Sequence, residues 1–402
     1  MGDAPFGLFY VSPVAVYLEE PYRARISGKD PGQRFPFTIP KPGATGIWAQ
    51  YLPVSGSPTF KTTNKLPYAE LFSFTIQREL SHTAVFSIGF VASRGRHLLS
   101  TVESNPGNPA KCLQLVQPLV ATSCGPHQED TIYLNSSGQT IANGTRPFSV
   151  TSGRELANGL LDFSSNSWEA TVANSTYSAL QTSLEKKVGD LRLLAAYTWS
   201  KSIDNSSGFF DAINPFNPRS GRALSILDIT HNFVVSYGYD LPFTKSSDGG
   251  RGKLLSGWTI SGITRFATGF PITVTESDDQ SLCRCSGADV PKYSGQPIRY
   301  LDPRKPGHQY FDPSPFSRED LGISGNANRH FFHGPGFNNW DLALHKLTRI
   351  GERTALKFRA KLFNAFNHVQ FTNPNGDIGG KFGQVTSARD ARIGQMALKA
   401  SF

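Results

Sequence analysis

The sequence predicts an all-β protein, an antiparallel transmembrane β-barrel wall of about nine or ten strands with long extracellular loops and short periplasmic turns. Three observations predict it. Apolar side chains recur at every second position over many segments, the mark of a strand with two different faces. The connections between these segments alternate between short and long without a break. Aromatic residues reach 12% of the 402-residue chain, with 29 Phe, while 38 Gly and 27 Pro punctuate it. That composition suits many strands and turns.

Taken in order, strands are expected at 70–80, 82–93, 175–187, 190–201, 228–241, 254–270, 337–349, 352–366 and 391–402. In "HTAVFSIGFVAS", Ala84, Phe86, Ile88 and Phe90 share a face. In "DITHNFVVSYGYDL", Phe233, Val235, Tyr237, Tyr239 and Leu241 oppose Asn232, Ser236, Gly238 and Asp240. "ERTALKFRAKLFNAF" sets Leu356, Phe358, Ala360 and Leu362 against Lys357, Arg359 and Lys361, three candidate lumen-facing charges. The last segment, "ARIGQMALKASF", places Met396, Leu398 and Ala400 at alternate positions before the terminal Phe402. "FGLFYVSPVAVYL" is a candidate tenth strand.

The short connections are "S", "VG", "PFTKSSDGGRGK" and "IG"; the long ones cover 94–174, 202–227, 271–336 and 367–390. Placing the C-terminus in the periplasm puts every long connection outside and every short one inside, the asymmetry of an outer-membrane barrel. Strands of this length cross a hydrocarbon layer when tilted, since about 9–11 residues suffice. Lipid then explains the alternation, with acyl chains on one side and a polar lumen on the other. Trp199, Tyr237, Tyr239, Trp258 and Trp340 sit where interfacial girdles are expected.

No apolar run approaches the ~18 residues of a membrane helix. The start has no basic region and is broken by Pro5 and Pro13, unlike a signal peptide. The net charge of +9 is scattered rather than clustered, so nucleic acid is not an expected partner. Four cysteines allow three pairings. Cys112 and Cys124 fall in one long loop, where a bridge would stabilise by roughly 2–4 kcal/mol. Cys283 and Cys285 fall in another, too close for an ordinary disulfide, which leaves pairing with each other under strain or with the first two across loops.

Chemical motifs are sparse. His330 and His333 have ligand-like spacing but precede a strand beside Gly334 and Pro335, so a pair of loop histidines is expected rather than zinc. "GGRGK" at 249–253 has neither the P-loop spacing nor its hydroxyl residue. Glu276, Asp278 and Asp279 form an acidic run that reads as a solvated loop tip, with calcium or a cationic substrate as the alternative. No GxSxG elbow occurs. No enzyme site, cofactor or metal is expected.

The segments "PYAELFSFTIQREL", "LLAAYTWSKSIDN", "ILDITHNFVVSYGYDLPF", "LLSGWTISGITRFATGFPITV", "GPGFNNWDLALHKLTRIGERTALKFRAKLFNAFNHVQF" and "TSARDARIGQMALKASF" resemble the C-terminal barrel of TonB-dependent outer-membrane transporters. The Oar-like group, with its carboxypeptidase-regulatory-like N-terminal domain, is the nearest type. The resemblance runs over about residues 60–402 and is strongest in the last 65. It implies the C-terminal part of a larger barrel, with 70–402 as receptor-like barrel and 1–69 as a partial strand and loop region. Nutrient uptake is implied, with TonB acting through an N-terminal plug for which this chain shows no segment. It also implies that the barrel-assembly machinery reads Phe402 with Met396, Leu398 and Ala400, although the family favours an aromatic where Ala400 stands. The resulting expectation is a fragment of an outer-membrane transporter embedded in outer-membrane lipid, binding a small nutrient or glycan of unspecified identity. The lumenal charges would attract an anionic solute or balance anionic lipid A. The alternative is a β-rich adhesin or glycan-binding protein that stacks Phe209, Phe210, Phe216 and Tyr310 on sugars.

Overall fold

The computed structural model describes residues 59–115, 123–149, 163–211, 213–242, 256–285, 289–350 and 354–402. Nine long strands carry the fold: β1 (Tyr68–Ser81), β2 (Ala84–Glu103), β3 (Ser167–Val188), β4 (Leu191–Asp204), β5 (His231–Asp240), β6 (Trp258–Ala267), β7 (Phe337–Ile350), β8 (Thr354–Phe363) and β9 (Ile393–Ser401). Each coincides with an expected strand. Every one pairs antiparallel with its sequence neighbours, so the sheet is a simple meander from β1 to β9. Among the described residues β1 and β9 do not pair with each other and form the two edges. "FGLFYVSPVAVYL", "GGRGK" and most of the 1–69 region lie outside the described residues.

Register separates the two faces. Leu191, Tyr239, Ile260, Leu344, Ala360 and Met396 are successive partners across six strands, from β4 to β9, and form a continuous apolar row. One residue along, Asp240, Thr259, His345, Arg359 and Ala397 make a mostly polar row on the opposite face. Phe74, Ile76, Leu398 and Met396 are exposed on the apolar side, as a wall facing lipid requires.

Aromatic side chains gather at two levels of that wall. Trp340 packs edge-on against Phe266 at 5.8 Å and Phe366 at 5.5 Å near the long-loop rim. Near the short-turn rim Trp258 packs against Phe358, and Lys346 lays its ammonium 4.8 Å from the Trp258 ring centre. Trp258 and Phe266 are eight residues apart on β6, about 26 Å of extended chain. Inclined by about 40°, that length rises about 20 Å, so the two rings sit just inside the edges of the ~25 Å apolar band of an outer-membrane barrel. Between the levels the Tyr237 ring lies across Gly262, where a Cβ would come within 2.7 Å of it. A glycine is what lets this ring lie flat on the wall.

The structure departs from expectation at the top of β2 and β3. Both continue well into the 94–174 stretch expected to be loop, pairing as far as Glu103 with Ser167. The pairing shifts between Gly95 and Leu98, and His97 takes a φ of 52°. Such a bulge breaks the two-residue period, which ends the sequence signal while the strands go on.

Among the described residues the hydrophobic cores lie in the long connections and not in the wall. Phe311, Phe316, Phe332, Phe382, Ile272 and Val274 form one cluster, built from the β6–β7 and β8–β9 connections. Cys112, Leu115, Cys124, Tyr133 and Leu282 form a second, which joins the β2–β3 connection to the β6–β7 one. These connections therefore form a folded cap over one rim, while the opposite rim has two-residue turns at 82–83 and 189–190.

Candidate functional site

The polar face of β5–β8 forms a concavity of about 390 Å³ bounded by Ser236, Ser261, Asp341, His345, Arg359 and Lys361. β8 supplies the cations because its alternate residues, opposite Leu356, Phe358, Ala360 and Leu362, are Lys357, Arg359 and Lys361. Arg359 sits between His345 and Ala397, and Lys357 between Leu347 and Lys399, so a fourth cation joins the face. His345 shares a 3.1 Å hydrogen bond with Ser261, while Asp341 accepts from the backbone N–H of Asn364 at 2.9 Å. The Arg359 Nε is buried without a hydrogen-bond partner among the described residues. The arrangement offers charge-assisted donors to an anion. The sequence pointed to the three cations and set Ser236 on the polar side, but gave no notice of Ser261, Asp341 and His345. Their signal is strand parity, since all occupy non-lipid positions.

A second cavity, of about 930 Å³, lies where the cap meets β3 and β4. Ala179, Ser200 and Lys201 bound it on the wall side, Arg222, Asn328 and Phe331 on the cap side. Its volume is that of a small-molecule site.

The cap is fastened to the wall by a short stretch of the β6–β7 connection. Arg329 forms ion pairs with Asp204 and Asp211 and donates from Nε to the Gly221 carbonyl at 2.9 Å. His330 is buried, with Nδ1 2.9 Å from the Leu224 carbonyl and Nε2 2.9 Å from Thr273 Oγ1. Burial is the main influence holding its imidazole below the ordinary histidine range, and the Arg329 charge adds to it. His333 Nε2 meets Asp228 at 2.9 Å. Burial alone would raise the Asp228 carboxyl, but hydrogen bonds from His333, the Ser202 N–H and Thr230 outweigh it and hold the group low. Both histidines are thus engaged as structural links. The sequence flagged them but missed Arg329, Asp204, Asp211 and Asp228.

Cys112 is bonded to Cys124, the pairing the sequence suggests, and Cys283 is bonded to Cys285 despite a spacing that argued against an ordinary bridge. The acidic run is not a solvated tip: Glu276 and Asp279 are buried, and Asp279 accepts from the N–H groups of His127 and Arg284 at 3.0 and 2.6 Å. Beside it, burial and then the Asp279 carboxylate push the Glu129 carboxyl up to about 8. Between the unfolded value of about 4.5 and that of the folded cap, the folded form binds more protons, so its stability falls as pH rises. Calorimetric melting at about pH 6 and pH 8.5 is expected to show this slope, and Glu129→Gln is expected to reduce it.

At the C-terminus, Met396, Leu398 and Ala400 lie opposite Ala360, Phe358 and Leu356 on the apolar face, and Phe402 projects beyond β9 at 95% exposure. Of the aromatics considered for sugar stacking, Phe210 and Phe216 are exposed, Phe209 packs on Phe210 at 5.0 Å, and Tyr310 packs on Tyr300 at 5.4 Å.

Among solved structures the chain is similar to the outer membrane transporter YddB from Escherichia coli, at 8% identity and a TM-score of 0.43, over 86% of this chain and 34% of that one. It is also similar to the ferric citrate transporter FecA, at 10% identity and 0.35, over 83% and 31%. A third is P. aeruginosa FpvA bound to heterologous pyoverdines, at 11% identity and 0.34, over 85% and 28%. The chain thus spans about a third of the length of these structures. No curated protein matches it. The model of a family described as "Outer membrane beta barrel domain" matches residues 6–395, nearly the whole chain. With that match, a two-faced antiparallel wall and aromatic levels at both rims, the chain belongs to the outer membrane β-barrel domain family, and its place is the cell outer membrane.

Proposed function

We propose that this chain is the wall and outer cap of a TonB-dependent, Oar-like transporter that takes a scarce anionic nutrient across the outer membrane. The observation that carries the reading is the cationic face of β8, with Lys357, Arg359 and Lys361 beside Lys399 and His345 on the side away from lipid. Such a stripe raises the local concentration of anions. The cavity where the cap meets β3 and β4, with Ser200 on the wall and Arg222 on the cap, supplies a place for first capture. In this reading energy comes from TonB through a plug carried elsewhere in the protein, and the barrel-assembly machinery engages β9 through Phe402, Leu398, Met396 and Ala400.

The test is accumulation of labelled anionic chelates and sulfated or phosphorylated glycans by cells producing the protein. Uptake is expected to stop when the proton-motive force is collapsed. It is expected to fall by about tenfold, the equivalent of about 1.4 kcal/mol, when Lys357, Arg359 and Lys361 are all replaced by Gln. Uptake indifferent to both treatments removes the reading. The exposed Phe210 and Phe216 favour a second reading, glycan adhesion at the cap, which retention on glycan-coated beads and its loss in Phe210→Ala/Phe216→Ala would support.

A further inference from the structure

The β6–β7 connection brings three carboxylates together from distant points of one loop. Glu276, Asp289 and Glu319 are only 5%, 7% and 6% exposed. One oxygen of each lies within 4.8 Å of the others. Oxygens bound to one calcium ion at about 2.4 Å can be at most about 4.8 Å apart, so the cluster has the span of a shared coordination sphere.

A cluster of acids alone could be a set of protonated or hydrogen-bonded carboxyls. Glu276 does receive N–H groups from Asp278 at 2.7 Å and Gln280 at 3.4 Å, and Asp289 receives the Ser281 N–H at 3.4 Å. Glu319 is different. Both of its oxygens are buried with no hydrogen-bond partner among the described residues, and one of them points into the cluster. Arg318, next to it in sequence, is committed to Asp278. A buried carboxylate without donors is costly unless something compensates it. Burial first, and then the charges of its neighbours, push Asp289 up to about 6 and Glu319 up to about 7. The group thus lacks positive charge, and a divalent ion would supply it.

We propose that Glu276, Asp289 and Glu319 bind a calcium ion that locks the cap. The ligand set is all oxygen, with neither histidine nor thiolate, which selects hard cations over zinc or copper. Calcium is preferred to magnesium because it accepts a flexible set of carboxylates, whereas magnesium keeps its water and demands octahedral geometry. The ion would tie together three points of a connection already held by two backbone bonds, from the Glu276 N–H to the Asp289 carbonyl at 3.1 Å and from the Gly322 N–H to the Gln280 carbonyl at 2.7 Å. This site is independent of what the barrel transports.

The test uses the full chain, purified in detergent and stripped with EDTA. Titration with calcium chloride in a calorimeter is expected to show one site, with Kd of about 10⁻⁴–10⁻³ M, the range of extracellular modules. Glu319→Gln and Asp289→Asn are each expected to weaken binding at least tenfold, while Asp312→Asn, an acid of the same cap paired with Arg299, leaves it unchanged. Should the variants fail to fold, the wild-type chain decides: calcium is expected to slow backbone hydrogen exchange across 276–322. Absence of saturable binding at millimolar calcium, equal affinity in the Gln and Asn variants, or exchange in 276–322 unaffected by calcium would overturn the proposal.

Discussion

Arg329→Ala is expected to cost about 3–5 kcal/mol, the effect of removing one partner from a buried ion pair, and to loosen the cap from the wall. The guanidinium is 8% exposed and holds Asp204, at the top of β4, together with Asp211 and the Gly221 carbonyl. Asp204 keeps the Ser207 hydroxyl shared between its two oxygens in the variant but loses its only counter-charge among the described residues. A charge left unpaired at such depth outweighs the packing lost with the side chain. Arg329→Lys should fall between, since an ammonium keeps the charge but cannot serve two carboxylates and a carbonyl with a planar fork. Hydrogen exchange over 204–228 and 329–333, with calorimetric melting in detergent, measures the effect. A change within about 0.5 kcal/mol, typical of an ordinary surface site, would show that the cap is held by its apolar clusters alone.

The wall was legible and the cap was not, for one physical reason. Lipid on one side imposes a two-residue period on every strand, and that period can be read locally. The long β2 and β3 became illegible where the bulge at His97 broke the period above the membrane. In the cap, contact is made between residues far apart in sequence. Phe311 meets Phe332 at 5.1 Å and Phe382 at 5.1 Å, and no local pattern relates the three. The acids show the same limit: Glu276 drew notice only within an acidic run, while Asp289 and Glu319 stood alone in unremarkable sequence. Arg329 likewise carries no motif, although the adjacent His330 and His333 were flagged by their spacing.

The division of labour between wall and cap follows from the solvent on each side. A strand pair in lipid gains no hydrophobic driving force by turning apolar residues inward, so the wall leaves Phe74, Ile76 and Leu398 outward and keeps its polar residues on the other face. The cap stands in water and needs cores of its own, which the phenylalanine cluster and the Cys112–Leu282 cluster provide. Fastening one to the other falls to polar side chains at the rim, because neither solvent rewards apolar burial there equally.

The assignment of faces makes the sharpest demand on two adjacent residues of β5. Val235 lies between Ala195 and Thr264 on the apolar side, whereas Ser236 lies between Leu194 and Ile263 and borders the polar concavity. Val235→Arg puts a guanidinium against acyl chains near the middle of the span and is expected to cost about 2–4 kcal/mol, with a lower yield of heat-modifiable protein in outer membranes. Ser236→Arg adds the same side chain one residue along and is expected to change stability by no more than about 0.5 kcal/mol. The introduced side chain is the same, and the differing strand propensities of the Val and Ser it replaces amount to less than about 1 kcal/mol, so a larger difference between the variants reports the solvent on each face. Equal losses, or a greater loss for Ser236→Arg, would mean that the apolar rows from β4 to β9 face protein rather than lipid.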